Sequence, residues 1–82
     1  MTPNARFLSD RQICELLDEG RSTLYRSRKD GVFVQSVKIG PRATRTPDYE
    51  VAAIMQARIA GKTDEEIRNL VVELMAARRS AA

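Results

Sequence analysis

Histidine and tryptophan are absent from this chain of 82 residues, and Cys14 is its single cysteine. One thiol cannot build an internal disulfide framework. Without histidine the usual zinc sites, which draw on several Cys or His ligands, are excluded as well. The expectation is no metal and no cofactor. Nor does the chain offer catalytic machinery: the commonest general base is missing, and the four glycines (Gly20, Gly31, Gly40, Gly61) are scattered singly rather than gathered into a phosphate-binding loop. The carboxylates Asp64, Glu65 and Glu66 do cluster, but at a helix start, where the helix dipole accounts for them. An enzyme is not expected. The longest apolar runs reach four or five residues, far short of the roughly 20 that cross a bilayer. The N-terminus lacks the basic, apolar and small-residue succession of a secretory signal. A cytoplasmic location and no membrane partner follow by default. The length sets one small domain, 1–82, which buries roughly 60–65% of its unfolded surface.

Positive charge is what the chain does have, and it is concentrated. Between Arg21 and Arg45 stand seven cations (Arg21, Arg26, Arg28, Lys29, Lys38, Arg42, Arg45) against the single anion Asp30, a net of +6. Residues 1–20 carry two cations and four anions, a net of −2, and residues 46–82 carry five and six, a net of −1. The overall +3 therefore conceals a basic strip between acidic flanks, the distribution a polyanion-binding surface requires.

Periodicity places this strip on a short helix and a hairpin. Ser9 and Gln12 form a capping box, and Phe7-Leu8 ahead of it reads as a short strand or staple. Ile13, Leu16 and Leu17 then make the buried stripe of a first helix, with Cys14 beside it as a small core thiol. Asp18-Glu19-Gly20 breaks that helix. A second runs from Gly20 or Arg21 to a stop at Gly31, with Asp18 and Glu19 suiting its positive N-terminal end. Two short helices so joined read as a helix-turn-helix. With Leu24 pointing inward, Ser27 and the stem of Arg28 fall beside it, and Ser22, Tyr25, Arg26 and Lys29 fall on the far side. Such a face suits a major groove, where Arg reaches guanine edges or phosphates and Ser or Tyr bonds to either.

Val37-Lys38-Ile39 alternates as a half-buried strand with Val37 and Ile39 inward. Gly40-Pro41 turns the chain and Ala43 to Thr46 return it, leaving Arg42 at the tip. Thr46 as N-cap and Pro47 as first helical residue open a third helix, with Val51, Ile54, Met55 and Ile59 as its buried stripe. Thr63 and Glu66 form a second capping box. It starts a fourth helix whose Ile67, Leu70, Val71, Leu74 and Met75 recur at amphipathic spacing, with Arg78 and Arg79 complementing the dipole at its end. The expected fold is mainly α: a winged helix-turn-helix core over 7–60, a short β-hairpin wing, and an additional C-terminal amphipathic helix over 63–79. That last helix needs a cover for its five large apolar residues, either the same core or another subunit.

Taken together, these residues resemble the AlpA family of prophage regulators, small relatives of the MerR-like winged helices and phage excisionases. The resemblance runs from about Phe7 to Ile59. It rests on Arg21-Ser22-Thr23-Leu24-Tyr25-Arg26, on Gly31-x-Phe33, on Val37-Lys38-Ile39-Gly40 with Arg42, and on Glu50-Val51. It implies DNA binding through the second helix and the wing, with regulation of genes on an integrated element, often the integrase, or direction of excision. By this resemblance Ser22, Thr23, Tyr25, Arg26, Lys38 and Arg42 face DNA. Arg21, Lys29 and Arg45 complete the expected DNA-binding set from the basic strip. The chain departs from the family pattern at Val34, where proline is usual, and at Thr46, where tryptophan is common. It departs also at Asp18-Glu19, where glycine and an apolar residue prevail.

Double-stranded DNA is thus the expected partner, placing the protein with the nucleoid, and the resemblance adds an integrase as a second. A module this small buries only about 600–1,000 Å² on DNA, so a homodimer or side-by-side binding on repeated sites is expected. Transcription regulation is the leading function. A recombination directionality factor that binds and bends attachment-site DNA is the near alternative, and a protein-interaction module using the fourth helix the distant one.

Overall fold

Residues 5–80 are described by the computed structural model; residues 1–4 and 81–82 of the expected 1–82 domain lie outside the described residues. The chain is mainly helical, with a small antiparallel sheet of three strands. In order it forms β1 (Phe7–Leu8), α1 (Asp10–Leu17), α2 (Arg21–Lys29), β2 (Val37–Gly40), β3 (Ala43–Pro47), α3 (Asp48–Ile59) and α4 (Asp64–Ser80).

Local chemistry sets most of the boundaries. Ser9 caps α1 by accepting from the Gln12 N–H at 3.2 Å, while its own N–H donates to Gln12 Oε1 at 2.9 Å. Thr63 and Glu66 repeat the device at α4, at 2.9 and 3.1 Å. The Thr63 N–H and hydroxyl hold the Glu66 carboxyl below its ordinary value, with help from the Lys62 charge. Helix α1 closes on Asp18 in the left-handed region, φ 52°, a conformation that favours glycine and costs other residues roughly 1–2 kcal/mol. Helix α2 closes on Gly31 at φ 80°, where glycine carries no such cost.

In the sheet the order is β1-β3-β2. Leu8 pairs with Thr46 and Phe7 with Pro47 on one side of β3; Val37 pairs with Arg45 and Lys38 with Thr44 on the other. The pairing with β1 carries β3 through Pro47, and the Asp48 N–H donates to the Arg6 carbonyl at 2.8 Å. Thr46 is therefore a strand residue and not the cap of α3. Pro47 takes the cap position, at φ −60° and ψ 134°.

The core draws on every helix: Ile13 from α1, Leu24 from α2, Val51 and Ile54 from α3, Ile67 and Val71 from α4. Val32, Phe33 and Val34, in the connection after α2, fill its centre. Helix α4 thus packs on the chain's own core, with Leu70, Leu74 and Met75 half-buried against it. Three expected core positions lie outside. Leu16 is exposed because the buried face of α1 centres on Ile13, Leu17 and Cys14, which rotates Leu16 to the rim. Ile59 is exposed at the end of α3, past Val51 and Ile54. Ile39 is 48% exposed because the β2–β3 register slips between Lys38 and Gly40. Cys14 is half-buried rather than enclosed. Among the described residues no helix is long and apolar enough to cross a membrane.

Candidate nucleic-acid interface

Helix α2 divides its side chains sharply between scaffold and surface. Leu24 enters the core. Arg28, whose side chain is only 12% exposed, is the second anchor. Its Nη1 and Nη2 donate to the two carboxylate oxygens of Asp10 at 3.1 and 3.0 Å. Nη2 also reaches Thr46 Oγ1 at 3.3 Å, and Nε donates to the Val34 carbonyl at 2.9 Å. The guanidinium sits 5.7 Å from the Phe33 ring centroid, within cation–π range. One arginine thereby ties α2 to α1, to β3 and to the connection that follows it.

Arg28 must accordingly be removed from the cations available to a polyanion. The strip retains six, against Asp30. This also explains Thr46: fully buried, it gives the guanidinium an acceptor inside the fold.

The remaining α2 residues face outward. Arg21, Ser22, Thr23, Tyr25, Arg26 and Lys29 are all exposed, Tyr25 to 71%. Arg21, Ser22, Tyr25, Arg26 and Lys29, with Asp30, line one shallow concavity; Thr23 lies outside it, on the other flank of the helix. Lys38 and Arg42 are exposed on the β2–β3 hairpin, with Arg42 in its two-residue turn. Arg45 is half-buried and its Nη1 donates to the Thr44 carbonyl at 2.8 Å. None of the three hairpin cations lines the α2 concavity.

Four of the described arginines are held in ion pairs. Among the described residues Arg11, Arg28, Arg58 and Arg78 pair with Glu15, Asp10, Asp64 and Glu50. Arg21, Arg26, Lys29, Lys38, Arg42 and Arg45 pair with no carboxylate.

Helix α4 braces this arrangement from behind. Arg68 Nε donates to the Asp30 carbonyl at 2.9 Å, holding the end of α2. Arg78 Nε donates to Glu50 Oε2 at 2.9 Å and its Nη2 to the Gln35 carbonyl at 2.7 Å. Glu50 is 1% exposed and its other oxygen also accepts from Arg78. Arg78 is thus a clamp between α4 and the core, beyond the dipole role read from its position. These ties join residues 18 to 43 positions apart, so no local pattern announces them. The inward stem of Arg28 was the one visible hint.

Among the described residues no three His, Cys, Asp or Glu side chains gather where a metal ion could be held. The chain matches no protein-family model, no curated protein and no solved structure.

Proposed function

We propose that this chain is a winged helix-turn-helix protein that binds double-stranded DNA and regulates transcription of genes on an integrated element, in the manner of the AlpA family it resembles. In this reading α1 and α2 are the helix-turn-helix, α2 enters the major groove, and the β2–β3 hairpin is the wing against the neighbouring backbone. Arg26, with Ser22 and Tyr25 beside it, reads base edges. Arg21, Lys29, Lys38, Arg42 and Arg45 neutralise phosphates.

The supporting observation is the pairing of charges. Among the described residues Arg28 is the one ion-paired cation of α2 and the hairpin, and the other six have no carboxylate partner. Arg6, Lys62, Arg68 and Arg79 are unpaired as well but scattered along the chain, whereas six unpaired cations concentrated on one short helix and one hairpin suit an anionic, external partner. A recombination directionality factor would use the same surface. The interaction-module reading is weaker, because the apolar stripe of α4 already packs on the chain's own core.

The test is a salt titration of duplex binding. With four to five phosphate contacts per protomer, log K falls with log salt at a slope of about −3.6 to −4.5. A slope shallower than about −2, or none, refutes the proposal.

A further inference from the structure

Ile39 is the residue the hairpin leaves over. Lys38 pairs with Thr44 and Gly40 with Ala43, so two steps along β2 meet one step along β3 and Ile39 has no partner. This is a β-bulge, and bulges re-aim a side chain out of the plain alternation of a strand. Regular alternation would turn Ile39 to the same side as half-buried Val37; instead it is 48% exposed. It is also placed among cations: Lys38 precedes it, Arg42 follows across the Gly40-Pro41 turn, and all but Gly40 of this stretch are exposed. A solvent-facing β-branched side chain flanked along the chain by two cations is poorly suited to a protein partner's apolar surface. It suits a groove of DNA, whose walls are anionic and whose base steps are apolar.

We infer that Ile39 is an apolar wedge that the hairpin inserts between base steps in the minor groove, unstacking one step and bending the duplex. The inference rests on the DNA-binding reading above and adds to it a partner conformation and a residue responsible for it. Lys38 and Arg42 bring the hairpin to the phosphates on either side of the groove, which is the arrangement that lets isoleucine, among other apolar side chains, enter a step. Pyrimidine–purine steps unstack most easily, so the wedge adds sequence preference without a hydrogen bond to any base.

The experiment uses the full chain and an end-labelled duplex of about 20–30 base pairs, enriched from a random pool by the wild-type protein. Energy transfer between the ends reports bending, and 2-aminopurine fluorescence within the site reports unstacking. Wild type should bend the duplex by about 20° or more and raise the 2-aminopurine signal. Ile39→Thr keeps the β-branched shape that strands favour but carries a hydroxyl. It should lose most of the bend and the fluorescence rise while affinity, carried by the cations, stays within about threefold. Ile39→Met, still an apolar wedge, should restore both. A melting temperature matching wild type certifies that each variant is folded. Equal bending by wild type and Ile39→Thr overturns the wedge and leaves DNA binding standing. Failure of wild type to enrich or bind any duplex overturns both.

Discussion

Arg26 and Arg28 lie two residues apart on the same short helix, one exposed and unpaired and the other anchored in the fold. Replacing each by alanine should separate stability from binding. Arg28→Ala removes four donated hydrogen bonds and the contact with Phe33. Asp10, about one-third exposed, rehydrates, so its share is at most about 1 kcal/mol. The Val34 carbonyl belongs to a fully buried residue, and leaving it without this donor costs about 1–3 kcal/mol. The lost cation–π contact adds about 0.5–1 kcal/mol. The total is roughly 3 kcal/mol, against about 4–12 kcal/mol for a domain of this length. Melting should fall by about 12–24 °C. Arg26, exposed and unpaired, should change stability by no more than about 0.5 kcal/mol. Its removal should instead weaken DNA binding by about 1–3 kcal/mol and relax base preference. Urea denaturation with fluorescence anisotropy on one duplex measures both quantities. An Arg28→Ala protein within about 1 kcal/mol of wild type, or an Arg26→Ala protein equally destabilised, refutes this division of labour.

Three further outcomes follow from the same geometry. Arg78→Ala strands the buried Glu50 carboxylate and should cost about 3–5 kcal/mol by urea denaturation, whereas adding Glu50→Gln should recover part of the loss; a cost below about 1 kcal/mol would contradict the clamp. Asp18→Gly relieves a left-handed residue at φ 52° and should stabilise by about 1 kcal/mol in thermal melts, so destabilisation would show that the aspartate side chain compensates. Glu66, held below its usual range by Thr63, contributes stability that is full above its unfolded value near pH 4.3 and is lost as pH falls through its lower folded value; Glu66→Gln keeps the cap without titrating, so the stability difference between wild type and variant should change across this acid window, and a difference independent of pH would refute the linkage.

Short-range rules sufficed for most of the elements, the start of α3 excepted, where pairing with β1 keeps Thr46 in β3 and moves the cap to Pro47. The two capping boxes, the glycine after α2 and the Gly40-Pro41 turn each act within three or four residues, and so Ser9–Gln12, Thr63–Glu66, Gly31 and the hairpin were all readable from the chain. The concentration of charge between Arg21 and Arg45 was likewise visible, because composition needs no coordinates. Tertiary contacts decided which of those charges are free. Periodicity turned the stem of Arg28 toward Leu24 and Arg26 away from it, but only the approach of Asp10, Thr46 and Val34 from three other segments makes Arg28 a tie. Whether α4 covers its own core also depended on distant partners, Ile67 and Val71 joining Val51 and Ile54 in one core, and Arg78 meeting Glu50. Ile39 marks the same boundary: alternation turned it inward, and a one-residue slip against β3 turned it out. Periodicity reports the direction of a side chain within its own element, whereas burial and pairing depend on what another element brings opposite it.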